Sequence, residues 1–144
     1  MDPLLALAIV GALVAATTAA GLAWRAAQGR VRRVGTTDAV AVEGVELAPG
    51  ATLLQFSSEY CAPCRATARV LADIVDGAPD LAHVEVDVAE RPDLAARFDV
   101  LQTPTTLVLD SAGRPRARIA GAVRAEQLRA ELDRLAASRT TVPA

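Results

Sequence analysis

Hydrophobic positions along the chain form one long unbroken run and then a series of short ones. Leu4 to Trp24 (LLALAIVGALVAATTAAGLAW) is 21 residues without a charge. A helix rising about 1.5 Å per residue would carry that run across roughly 30 Å, the thickness of a bilayer's hydrocarbon core. Trp24 stands where an interfacial aromatic belongs, and the hydroxyls of Thr17 and Thr18 can bond back to their own helix. The rival reading is a cleaved secretory signal, which opens with positive side chains and carries an apolar stretch of about 7–15 residues. Here the preceding residues offer Asp2 and no basic side chain, and Thr18-Ala19-Ala20 is only a passable cleavage site. We therefore read residues 4–24 as an uncleaved, single-pass transmembrane anchor. Arg25, Arg30, Arg32 and Arg33 all follow it. The positive-inside rule then places the amino terminus outside and the remainder in the cytoplasm. The same arginines also suit the helix end and lipid headgroups. An extracytoplasmic domain is the alternative. Residues 25–39 read as a basic juxtamembrane linker, with Gly29 to Asp38 as a polar tether.

The short runs predict one domain over residues 40–138, followed by a tail at 139–144. Val40 to Leu47 alternates weakly, as a short strand would, and Pro49-Gly50 is a turn signal. Ala51 to Phe56 reads as a buried strand. Cys61 to Val75 has helical spacing, with Ala68, Leu71, Ala72 and Val75 on one face, and Gly77 and Pro79 stop it. Leu81 to Val88 is a period-two strand showing Val84, Val86 and Val88 together. Pro92 to Phe98 is a short helix, and Thr105 to Leu109 a buried strand. Asp110 to Gly113 makes a hairpin into Arg116 to Ala120, and Gly121 breaks that strand. Arg124 to Ala137 is an amphipathic helix, with Leu128, Leu132 and Leu135 inward and Arg124, Glu131 and Arg134 outward. The order predicts an α/β fold whose sheet starts parallel and ends antiparallel.

Composition narrows the function. The chain has 144 residues and a formal charge of -2, which gives no electrostatic footprint for nucleic acid. All 15 basic residues are arginines, a bias that looks genomic and carries no mechanism. One His and two Cys rule out a disulfide-stapled mini-domain and a four-ligand zinc finger. No Gly-rich phosphate motif is present, which argues against a nucleotide-dependent enzyme. No metal or cofactor is expected.

The chemistry concentrates in Tyr60-Cys61-Ala62-Pro63-Cys64-Arg65, where a predicted strand meets a predicted helix. A cysteine at a helix N-terminus faces unpaired N–H groups and the positive end of the macrodipole. That favours the thiolate and raises the reactive fraction at neutral pH. Cys61 is expected as the exposed nucleophile, and Cys64, one turn deeper, as the thiol that resolves the mixed disulfide. Pro63 stiffens the first turn at no hydrogen-bond cost. Arg65 adds a positive charge, while Glu59 works against the thiolate. Two bland alternatives compete. Half of a zinc site lacks a second Cys pair, and a structural disulfide closing so small a loop restricts the unfolded chain little.

Gln55 to Arg65 (QFSSEYCAPCR) resembles the active-site segment of the thioredoxin family. Val100 to Thr105 (VLQTPT) resembles its second signature, a loop with a cis-proline before a central strand. The resemblance covers roughly Val40 to Ala137 and implies a thioredoxin-like fold, a central mixed sheet flanked by helices, behind the transmembrane helix. It also implies dithiol–disulfide exchange on protein disulfides, with an upstream thiol or disulfide donor and no bound cofactor. Tyr60, Thr103 and Pro104 would contact substrate, Thr103 through its backbone. In a cytoplasmic setting a reductant is expected. An extracytoplasmic oxidase, a cytochrome-maturation type of reductase and a catalytically weak adaptor are the alternatives. The departures from the family are specific. Tyr60 replaces a Trp and Ala62 a Gly. Gln55 stands where thioredoxins carry a buried Asp that relays the resolving thiol's proton, and an amide cannot do so near neutral pH. Gln55 and Arg65 are thus the residues expected to tune the thiols. His83 falls near the place of the family's lysine beside that Asp. Arg69 replaces a helix proline, and the family's first helix has too few residues to form between Val40 and Gly50.

Overall fold

The computed structural model describes residues 2–35 and 44–140. Helix α1 runs from Pro3 to Ala27, further at each end than the apolar run itself. Asp2 is its N-cap, accepting the Leu4 N–H at 3.1 Å, with Pro3 at the first helical position. An Asp cap followed by Pro is a helix-start signature. The Thr17 hydroxyl donates to Leu13 O at 2.9 Å, so it stays within the helix. Among the described residues, none covers the apolar window of α1, and the helix is long and apolar enough to cross a membrane.

Among the described residues five strands follow the order β1-β5-β4-β2-β3, where β1 is Val31–Arg33, β2 Ala51–Ser57, β3 Leu81–Asp87, β4 Thr105–Asp110 and β5 Pro115–Ala120. The β2–β3 pair is parallel and the β2–β4, β4–β5 and β1–β5 pairs are antiparallel. This is the mixed sheet expected. Helices α2 (Ala62–Asp76), α3 (Pro92–Arg97) and α4 (Ala125–Thr140) flank it. β2 lies inside the sheet, between β4 and β3, and is buried along its whole length. Its alternation divides the core. Ala51 and Leu53 pack with Leu71 and Ile74 of α2 and Leu128 of α4. Leu54 and Phe56 pack on the other side with Leu94, Phe98 and Val86. Phe56 and Phe98 meet with ring centroids 5.8 Å apart. As expected, Val84 and Val88 join Val86 on that side.

Several expectations are corrected. The stretch read as a tether holds β1, whose Val31 pairs with Ile119 and Arg33 with Ala117. A three-residue edge strand has no periodicity to detect, and only its partner defines it. Of the weak strand expected at Val40 to Leu47, residues 40–43 lie outside those described, and residues 44–47 carry no strand. The buried stripe of α2 is Cys64, Thr67, Leu71 and Ile74, while Ala72 is exposed. The stripe is offset because the active-site cysteine itself points inward. Glu131, expected outward, is buried. Its Oε2 lies 2.6 Å from Arg134 and 3.7 Å from Arg33 of β1, so the unforeseen strand brings a charge that a carboxylate can bury against. Finally, α4 continues into the residues read as a tail. Arg139 donates to Pro49 O at 2.9 Å and Gly50 O at 2.7 Å, which holds the last turn against the loop before β2.

Candidate active site

Strand β2 delivers the chain to the end of the sheet, and after Ser58 to Cys61 helix α2 starts. Cys61 is the N-cap of α2, with extended backbone (φ -88°, ψ 94°), and Pro63 occupies the first turn. The Cys64 N–H donates to Cys61 Sγ at 3.2 Å. A sulfur in the N-cap place therefore receives the hydrogen bond that a Ser or Asp side chain usually accepts there. The orphan amides of the first turn and the aligned peptide dipoles of a 15-residue helix point toward it. Cys61 and Cys64 form a disulfide, with Cα atoms 5.2 Å apart. The two sulfurs differ in access: Cys61 is partly exposed, whereas Cys64 is 2% exposed.

Beneath Cys64 lies a polar network that spacing alone does not show. Gln55 is fully buried, and its Nε2 donates to Cys64 O at 3.0 Å and, at 3.4 Å, to Glu85 Oε1. Its Oε1 accepts from His83 Nε2 at 3.1 Å. An amide oxygen only accepts, so His83 must carry its proton on Nε2. Burial lowers the His83 pKa below 6.5, and the Glu85 carboxylate offsets part of that shift. His83 and Glu85 face α2 because they alternate with Val84 and Val86, which face α3.

The second signature lies beside the first. The Thr103-Pro104 peptide bond is cis. The Thr103 and Ser58 hydroxyls stand 3.4 Å apart, joining loops 45 residues apart in sequence. Pro104 is buried, and its carbonyl accepts the Gly121 N–H at 2.8 Å. Upstream, the Arg118 guanidinium donates to Phe98 O and Asp99 O, both at 2.6 Å, pinning the turn that leads into this loop. Tyr60 is 90% exposed at the rim. Arg65 and Glu59 are both exposed and line a cleft beside Cys64 together with Glu85 and Asp87. The structure thus links Gln55, Cys64 and Cys61 through a hydrogen bond and the disulfide, and ties Ser58, just before them in the loop after β2, to Thr103 just before β4. Sequence reading missed Ser58, Glu85 and Arg118. Their roles are contacts across the fold, and no local pattern announces them.

The thioredoxin family model matches residues 37–134. The chain belongs to the thioredoxin family. Thioredoxin H5 of Oryza sativa subsp. japonica is 40% identical over 57 residues, 40% of this chain and 42% of that protein. A thioredoxin of Staphylococcus haemolyticus is 34% identical over 88 residues, 59% of this chain and 82% of that protein. The aligned part thus spans under half of the rice relative's length and most of the bacterial one's. Among solved structures, chloroplastic thioredoxin z matches with a TM-score of 0.56 and 26% identity, covering 62% of this chain and 80% of that one. A thioredoxin from Nicotiana alata matches at 0.54 and 27%, covering 60% and 73%. Such homologues are disulfide oxidoreductases.

Proposed function

We propose that this thioredoxin-family chain is a membrane-tethered thiol–disulfide oxidoreductase that reduces protein disulfides. The carrying observation is Cys61 Sγ at the N-cap of α2, accepting an amide hydrogen at 3.2 Å, partly open to solvent above a buried Cys64. In the reduced chain the Cys61 thiolate attacks one sulfur of a substrate disulfide, and the other sulfur leaves and takes a proton. Cys64 loses its proton and attacks Cys61. The first substrate sulfur then leaves as a thiol, and the Cys61–Cys64 disulfide closes. Two electrons have passed to the substrate, and a dithiol donor must return two to the pair. The helix end favours the thiolate by about 0.3–1 kcal/mol, the usual worth of a charge at that position. Tyr60 and the Thr103-Pro104 loop flank Cys61 and form the substrate rim, with the Thr103 backbone pairing to an extended segment. Residues 4–24 anchor the chain. The arginines that follow favour an amino terminus outside and the domain in the cytoplasm.

Cells producing Cys64→Ser should accumulate mixed disulfides that vanish when Cys61 is also replaced, and the native protein should reduce insulin disulfides. An empty trap together with no insulin reduction rejects the reading. One observation favours a second reading, a slow exchanger acting chiefly as an adaptor: the amide of Gln55, buried against Cys64, has no titratable proton. Insulin turnover no faster than free dithiothreitol, with a trap still filled, would select it. Cysteine labelling from each side of the membrane decides the orientation.

A further inference from the structure

Only Gln28, Gly29 and Arg30 separate α1 from β1, and they are fastened to the domain. The Gly29 N–H donates to Ala120 O at 2.8 Å. Gly29 has φ 73°, and a Cβ there would lie 2.5 Å from Ala122 O, so the chain passes the end of β5 where no side chain fits. The next residue of that end reaches the active site, since the Gly121 N–H donates to Pro104 O at 2.8 Å. Two hydrogen bonds from neighbouring residues therefore link the helix exit to the cis-proline loop. This connection is a mount, with the loop held at a set place beside the helix end.

A groove lies between the two. Trp24 and Ala27 line one side, and Leu101 and Gln102 the other. Trp24 is 68% exposed and Leu101 92%, so both walls offer apolar surface. Among the described residues that border it, Arg30, Arg32 and Arg118 stand against one carboxylate, that of Asp99.

We propose that this groove docks the membrane-proximal segment of a membrane-inserted substrate protein and presents a disulfide close to that protein's own span to Cys61. The proposal rests on the anchored-oxidoreductase reading above and names its substrate class. Three features select the occupant. Trp24 ends the apolar span, so whatever lies against it lies at the bilayer surface. Three arginines against one carboxylate suit an acidic segment. Gln102 and Thr105, the residues on either side of Thr103 and Pro104, line the groove, so a chain lying in it abuts the cis-proline loop. The exchange balances as before, two electrons and two protons passing from the Cys61/Cys64 dithiol to the substrate's two sulfurs.

The test uses the pre-reduced full chain in vesicles of phosphatidylcholine with a minor fraction of phosphatidylglycerol. The probes are single-span peptides bearing a disulfide loop. In one, the loop follows the span directly through an acidic segment; in a second, that segment is replaced by an uncharged one of equal length; in the third, the loop follows a Gly/Ser spacer of roughly twenty residues. Single-turnover reduction should favour the near loop by about tenfold, through effective concentration. Inserting about ten Gly/Ser residues between Ala27 and Gln28 should abolish that preference while insulin reduction is unchanged. Equal rates for near and far loops in the native chain, or a preference that survives the insertion, overturns the proposal. A preference indifferent to the acidic segment and suppressed by added phosphatidylglycerol shows a lipid headgroup in the groove, and also overturns it. Loss of insulin reduction in the native chain instead overturns the underlying oxidoreductase reading.

Discussion

Replacing Gln55 by Asp puts a titratable group where this chain has an amide. The side chain is fully buried, and its Nε2 already lies 3.4 Å from Glu85 Oε1. A carboxylate there would face Glu85 at about 4 Å, and at an effective dielectric of about 20 that repulsion is about 4 kcal/mol. It corresponds to about 3 pKa units at about 1.36 kcal/mol per unit. Burial pushes the same way, and the His83 Nε2–H offsets part of both. An aspartate that starts near about 3.9 therefore arrives close to neutrality, where a general base works best. Gln55→Asp should accelerate the step in which Cys64 loses its proton by up to about a hundredfold, the low end of what a positioned base contributes. It also loses the donor to Cys64 O, which should destabilise the domain by about 1–3 kcal/mol. The assay is insulin-disulfide reduction driven by dithiothreitol across the neutral pH range, with circular dichroism confirming the fold. The variant should be faster at pH 7 and gain an inflection that the native profile lacks. A folded variant with an unchanged rate, or a faster one with an unchanged pH profile, would refute the reasoning.

Other outcomes follow from burial and partners. Leu128 is fully buried between α4 and the sheet, so Leu128→Ala should cost about 2–5 kcal/mol, read as a lower urea midpoint at constant slope. The Thr67 hydroxyl is buried with no hydrogen-bond partner among the described residues. Thr67→Val removes that unmet group at nearly equal volume, so stability should be unchanged or rise by about 1 kcal/mol in the same titration. Because burial lowers the His83 pKa, the unfolded chain takes up the proton more readily than the folded one. The stability contributed by neutral His83 is complete above about 6.5 and drains away as pH falls through the lowered folded value. The stability gap between native chain and His83→Gln, followed by urea unfolding, should therefore shrink as pH falls below that point. A constant gap would show that His83 titrates alike in both states.

Local pattern alone determined the membrane-length helix, the order of the strands and helices from Ala51 onward, and the pair of cysteines at a strand-to-helix junction. Each depends on residues within a turn or two of one another, and the burial of alternate or helically spaced positions is written directly in their polarity. Tertiary structure decided what long-range pairing alone can decide. Val31 to Arg33 become a strand only because β5 offers its edge, and Glu131 is buried because that strand brings Arg33 across to α4. Gln55 meets His83 and Glu85 because β2 and β3 align in parallel with Leu53 opposite His83 and Gln55 opposite Glu85. The supposed tether becomes a mount through Gly29 and Ala120, about ninety positions apart. Such contacts depend on register and closure across the whole domain. No stretch of sequence contains both partners in one pattern, so periodicity reveals the elements and folding alone reveals who faces whom.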